Sequence, residues 1–197
     1  MNLTKVLSVV FFAISAFLGY LLWKGVDDVV EQEKRIALLE AATIEKLEML
    51  RDAQLAFQAS NGKYAGTWDS LRTFIETGTI WIVQRTETTK LLDYGAEEIS
   101  VRFDTLGSVS VMDSLFNTQK YPDFNIDLLP VVPGSGGKRF EFFADKIEKT
   151  GGYKVNVFEI KDPSPINPER RIKDENGNDK ALRVGSRTDA STEGNWK

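Results

Sequence analysis

VLSVVFFAISAFLGYLLW, Val6 to Trp23, passes directly into KGVDDVVEQEKRIALLEAATIEKLEMLRDAQLAF, which runs to Phe57. The first segment holds 18 residues and no charge. As a helix rising 1.5 Å per residue it spans about 27 Å, close to the ~30 Å hydrocarbon thickness of a bilayer. A cleaved signal peptide would carry a shorter apolar core followed by small residues at a cleavage site. Here the run ends on the bulky Tyr20, Leu21, Leu22 and Trp23, so a retained single-pass anchor is expected, with Tyr20 and Trp23 at headgroup level. Lys5 and the terminal amine face Lys24 across the span, nearly balanced in positive charge. The short tail, residues 1–5, favours a cytoplasmic N-terminus in the inner membrane and a C-terminal domain in the periplasm. Ser15 and Gly19 form a small-xxx-small pair, a candidate for close helix packing within the anchor 6–23.

Between Val26 and Ala59 there is neither Pro nor Gly. Ile36, Leu39, Thr43, Leu47, Leu50, Gln54 and Phe57 follow 3–4 spacing and predict one buried stripe on a stalk helix, residues 24–60. Thr43 and Gln54 interrupt a clean heptad. The pattern therefore predicts two parts: Leu47 to Phe57 packs on the chain's own head, and Val26 to Leu39 meets a partner helix. Val26, Val29, Ile36 and Leu39 are the candidate partner contacts. Asn61-Gly62 reads as the helix stop, with Tyr64 folding back on its last turns. Thr67 is positioned to N-cap a second helix, Trp68 to Thr77, that Gly78 ends.

The segment RDAQLAFQASNGKY (Arg51 to Tyr64), with Trp68 and Leu71 beyond it, resembles the helix exit of type II secretion pseudopilins and related type IV pilin-like proteins. That resemblance implies a ladle: an apolar-then-amphipathic helix, an Asn61-Gly62-Lys63-Tyr64 turn, a short helix and a small antiparallel sheet. It covers about residues 6–78. The family's processing site, with Glu at the fifth mature position, has no counterpart in Leu3-Thr4-Lys5-Val6, so the resemblance is one of architecture.

The expected fold class is α+β, the head occupying residues 61–160. Thr79 to Gln84 reads as a strand. Glu98 to Asp104 and Ser108 to Asp113 alternate and read as a hairpin turning at Leu106-Gly107. Residues 117–137, with Pro122, Pro130, Pro133 and the Gly134–Gly137 cluster, read as a long loop pinned by Leu128, Leu129, Val131 and Val132. Phe140, Phe143 and Ile147 suit a short helix ending at Gly151-Gly152, whereas Phe140 and Phe142 suit a strand; the helix is favoured. Tyr153 to Ile160 is a strand. Together these predict one sheet of three or four strands covered by the upper stalk, with Trp68 and Trp81 at least partly buried. Residues 161–197 are rich in Pro and mixed charge and read as an arm. Either it wraps loosely through Leu182, Val184 and Trp196, or it docks on a neighbour with Trp196 as anchor.

The chain lacks both His and Cys, so thiolate metal sites and disulfides are excluded and the commonest general base is missing. A net charge of -4 argues against a nucleic-acid binder. Asp174 to Asp179 matches part of a calcium loop, but Asp179 and Gly185 stand where Gly and Glu are required; an Asn176-Gly177 turn is the simpler reading. A Ser135–Lys138 dyad, a phosphate cradle at Gly134–Lys138 and a carboxylate pair at Glu97-Glu98 carry little weight. No catalysis, cofactor, metal or small-molecule substrate is expected. The expected role is a structural or assembly subunit of a cell-envelope complex, touching lipid and other membrane or envelope proteins, a second copy included. The alternative is a tethered periplasmic module that binds a ligand or peptide, through the 117–137 loop.

Overall fold

The computed structural model describes residues 3–91, 97–173, 175, 177 and 179–196, and of residues 3–6, 91 and 98 the backbone alone. The architecture is α+β: a long N-terminal helix followed by small antiparallel sheets. Helix α1, Leu3–Asn61, is unbroken over 59 residues, about 88 Å. The absence of Pro between Leu3 and Asn61 leaves nothing to interrupt its hydrogen-bond ladder. At its end Gly62 takes φ +68, its N–H returning to Gln58 O, and Asn61 Nδ2 donates to Phe57 O at 3.0 Å. Helix α2, Trp68–Thr77, begins on Thr67, whose side chain accepts from Ser70 N, and stops at Gly78.

The core forms where the α1 stripe meets the rest of the head. Leu47, Leu50, Ala53 and Phe57 pack with Leu71 and Ile75 of α2 and with Phe158, Ile160, Leu182 and Val184 beyond. Thr43 and Gln54, the two polar members of the stripe, are buried with it. Thr43 Oγ1 satisfies itself on Leu39 O, which lets a hydroxyl replace an aliphatic at that edge.

The sheet differs from the single one expected. Strand β1, Thr79–Leu91, pairs antiparallel with β2, Glu97–Ser110, as a separate two-stranded ribbon. The expected 98–113 hairpin is overturned. Leu106 is the extra residue of a bulge, since Ile82 pairs with Gly107 and Val83 with Thr105. The threonines at 86, 88 and 89 carry β1 past Gln84, because β-branched polar residues suit an exposed strand. Ser110 ends β2 by capping helix α3, Val111–Leu115: its Oγ accepts from Asp113 N and donates to Asp113 Oδ2.

Strand β3, Glu141–Glu148, replaces the helix expected at Phe140 to Ile147. It pairs along its whole length with β4, Lys154–Lys161, and Gly151 and Gly152 make the turn between them at φ +107 and +78. The long-range pairing decides an ambiguous pattern; Phe142 and Ala144 pack against the core and Phe143 lies under the Arg187 guanidinium. Strand β5, Arg183–Gly185, adds antiparallel to β4. The described residues between 161 and 196 therefore form part of the fold: Ala181, Leu182 and Val184 are buried.

Asp162, at the start of that segment, is also buried and accepts from Ser164 N at 2.8 Å. Burial raises its pKa above the ordinary carboxyl value of 3.8, partly offset by that N–H and by Lys138 and Lys161. A carboxyl with a raised pKa holds its proton more tightly when folded, so its ionised form weakens the fold at neutral pH. Asp162→Asn keeps an acceptor for Ser164 and removes the charge. The variant is expected to gain under about 1 kcal/mol over the parent at pH 7. That gap should close as pH falls through the raised pKa toward 3.8 in thermal melts.

Candidate membrane and partner interface

Helix α1 carries two surfaces in sequence. Every residue from Leu7 to Arg35 is exposed, and burial begins at Ile36. One apolar stretch near the N-terminus is long and apolar enough to cross a membrane, with a mean hydropathy of 1.8 and none of it buried. Ser15 and Gly19 lie on this bare stem, and a Cβ added at Gly19 would meet nothing within 4 Å. Gly19, Leu22, Trp23, Val26, Asp27 and Val30 line a shallow apolar groove where the uncharged run gives way to charge. Trp23 is 77% exposed, Val26 65% and Val29 53%.

The four residues assigned to a partner helix divide. Val26 and Val29 are open, but Ile36 and Leu39 are half-buried by the chain itself. Gly134, at φ +69, approaches so closely that a Cβ there would lie 2.5 Å from Ile166 Cδ1 and 3.0 Å from Leu39 Cδ1. Glu40 accepts from Arg170 Nε at 2.6 Å and from Asn167 Nδ2 at 3.1 Å, tying residues 167–171 to the stalk. Leu39 is thus a contact for the chain's own 133–170 region, and the free stretch of stalk ends at Arg35. Proline 3₁₀ geometry at Pro168–Arg171 aims Arg170 at the helix; sequence spacing holds no signal for a contact 130 residues apart.

The helix-exit turn is fixed by a residue read only as part of the stripe. Gln54 Nε2 donates to Ala65 O at 2.8 Å, and Ala65 N donates to Gln54 Oε1 at 2.9 Å. Both residues are buried. The amide thus acts as a strand partner for one residue of the turn, holding Asn61, Gly62 and Tyr64 in place. Tyr64 packs on Phe158 with ring centroids 4.6 Å apart, and burial raises its pKa. Trp196 is half-buried, packs on the head core and covers Gly194. It docks on its own chain, not outward.

The loop expected to offer a ligand site is held down. Leu129 and Val132 are buried, and Lys46 Nζ donates to Val131 O at 2.7 Å and to Leu128 O. Burial lowers the Lys46 pKa. Gly134, Gly136 and Gly137 turn the chain so that Val131 bridges Arg139. Ser135 Oγ bonds Val132 O and Lys138 N, while Lys138 Nζ reaches Ser164 Oγ, so no Ser–Lys dyad forms and the glycines serve a turn. Of the calcium-loop candidates, Asp174, Asn176 and Asn178 lie outside the described residues; Lys173 bridges Asp179 and Gly177 has φ +79, as a turn requires. Among the described residues no group of acidic side chains is placed to hold a metal.

A polar basin of about 670 Å³ opens beside the stalk, lined by Glu40, Asn167, Arg170, Asp179, Lys180 and Arg183 among others. Both Glu40 and Asp179 are already paired, Glu40 with Arg170 and Asp179 with Lys161 outside the basin, which holds the Asp179 carboxyl below its ordinary pKa. Comparison with protein-family models, curated proteins and solved structures gives no match to this chain.

Proposed function

We propose that the chain is a membrane-anchored assembly subunit of a cell-envelope complex, working through protein contacts rather than catalysis. The observation that carries this reading is one helix with two burial regimes. Leu7 to Arg35 is exposed throughout, whereas Thr43 to Phe57 forms the core of a folded head. An uncharged helix left bare in water would be unfavourable by about 25 cal/mol per Å² of apolar surface, so the stem needs lipid. Lys24 to Arg35 then spaces the head about 18 Å from the bilayer. Val26, Val29 and Val30 project from that spacer and offer an apolar strip to a neighbouring helix. The ladle shape and the Asn61-Gly62-Lys63-Tyr64 exit support a pilin-like mode of assembly, with the N-terminus cytoplasmic and the head periplasmic.

The test begins with alkaline carbonate extraction of membranes carrying the full-length chain, followed by particle mass in mild detergent. The chain is expected to resist extraction and to run as a multimer. Val26→Asp, Val29→Asp and Val30→Asp together are expected to leave it anchored and reduce the multimer to a smaller species. Release by carbonate overturns anchoring. A monomeric parent overturns assembly and moves the reading to a tethered binding module.

A further inference from the structure

The β1–β2 ribbon is amphipathic and uncovered. Strand alternation places Trp81, Val83, Arg85, Glu87 and Thr89 of β1 on one face together with Phe103, Val101 and Ile99 of β2. The opposite face carries the apolar Ile82 near the base and beyond it only polar residues, Gln84, Thr86 and Thr88 with Asp104, Arg102 and Ser100. Trp81, expected to be at least partly buried, is 63% exposed, and Phe103 is 64% exposed. The head covers only the base of the ribbon, where Ile80 packs on the core. A two-stranded ribbon standing alone is marginal in water and needs cover on its apolar face.

What covers it is indicated by the charges inside that face. Arg85 and Glu87 are ion-paired with each other and sit in the middle of the apolar row, Arg85 beside Phe103 and Glu87 beside Val101 across the strands. One positive and one negative group, two residues apart, make a self-complementary pair. We propose that this face packs on the same face of a second copy of the chain. The two-fold axis crosses the strands midway between the Arg85–Phe103 row and the Glu87–Val101 row.

That operator sets Arg85 of each copy against Glu87 of the other and Phe103 against Val101 of the other. In the next rows it sets Val83 against Thr89 and Thr105 against Ile99. In the two central rows charge meets opposite charge and Phe103 meets Val101, and in the next rows an aliphatic side chain meets a threonine, each contact made twice as an isologous contact requires. An axis along the strands would instead lay Arg85 on Phe103 and Glu87 on Val101, leaving each charge paired only within its own strand and facing an apolar side chain across the contact. The Arg85–Glu87 pair is neutral as a whole and gives an anionic bilayer no net attraction. Face-to-face packing of ribbons this long buries roughly 1,000 Å² in total, the lower bound for a specific contact.

The inference deepens the assembly reading by naming a second copy as the partner, on a surface that changes at Val26, Val29 and Val30 leave intact. The test is the mass of the full-length chain in mild detergent across a dilution series. Arg85→Glu and Glu87→Arg are each expected to weaken the dimer about 100-fold, tenfold for each of two symmetric pairs. Mixed in equal amounts, the two variants are expected to restore it, because each supplies the charges the other lacks. Thr88→Lys, on the opposite face, is expected to leave it unchanged. All three positions are exposed, so circular dichroism of each variant should match the parent. A mixture that fails to restore the dimer, or a Thr88→Lys loss equal to the others, overturns the contact. So does a parent that stays monomeric at every concentration. Release by carbonate would overturn anchoring while leaving this readout decisive.

Discussion

Gln54→Leu is expected to cost the head about 3–5 kcal/mol, a large share of the 5–15 kcal/mol that holds a typical domain. Leu fills nearly the same volume, so little cavity is created and little apolar contact is lost. The loss comes from Ala65. Its N–H and C=O are both satisfied by the Gln54 amide, and neither can reach water, since Ala65 is 2% exposed. Each orphaned backbone group costs about 1–3 kcal/mol. The check is a denaturant titration followed by tryptophan emission, with Trp68 three residues away as the reporter; an unchanged midpoint would sink the assignment. Gln54→Glu refines the point. An ionised carboxylate accepts from Ala65 N but repels Ala65 O, whereas a protonated one restores both bonds. In the folded protein the introduced carboxyl therefore has a raised pKa, so this variant should gain stability as pH falls, unlike Gln54→Leu.

That amide also marks how far the sequence could be read. The 3–4 spacing from Ile36 to Phe57 placed Gln54 on the buried stripe, because helical periodicity is local and strong. Its partner could not be read, since Ala65 carries no signature of needing one. The same divide runs through the head. Thr67 and Gly78 bound α2 by short-range capping chemistry and were legible. Phe140 to Ile147 satisfies two periods at once, and only pairing with Lys154–Lys161 settles it as strand. The alternation of Ile99, Val101 and Phe103 was legible as strand, but its mate was misassigned to the nearest alternating segment beyond Gly107. In the fold β1 reaches across instead, and the apolar row that looked like core faces outward. Alternation reports that one face differs from the other, not whether the chain itself supplies the cover.

The interface divides in the same way. The bare stem was legible from composition: no charge across Val6–Trp23, and charges in quick succession from Lys24 to Arg35. The upper limit of the free stalk was not. It is set by Glu40 with Asn167 and Arg170, and by Gly134 against Leu39, contacts made by segments whose composition suggested little order. A Pro-rich, charge-rich segment has little apolar surface to offset its ordering entropy. The described residues of this segment overcome this by borrowing surface from the head: β5 joins an existing strand, Lys161 and Arg187 pair with Asp179 and Glu159, and Leu182 and Val184 enter a core already formed.

Gly185→Ala tests that account most severely, with an expected loss of about 3–4 kcal/mol. Gly185 has φ +79, where an L side chain is strained by about 1–3 kcal/mol. An added Cβ would also lie 2.2 Å from Phe158 O and 3.0 Å from Phe158 C. Those are backbone atoms of the central strand β4 and cannot swing aside as a side-chain tip would. Relief requires β5 to withdraw, which breaks its pairing with Glu159, Ile160 and Lys161, breaks the bond from Gly185 N to Glu193 O, and uncovers Val184 and Leu182. Gly152→Ala is the matched control: φ is +78, but nothing lies within 4 Å of the added Cβ, so only the backbone strain of about 1–2 kcal/mol remains. The difference between the two variants in one denaturant series isolates the strand contact. If the tail were an arm reserved for a neighbour, the two would differ little and the head would stay folded in both. If β5 closes the head, Gly185→Ala should also expose residues 181–196 to limited proteolysis, while Gly152→Ala leaves them protected.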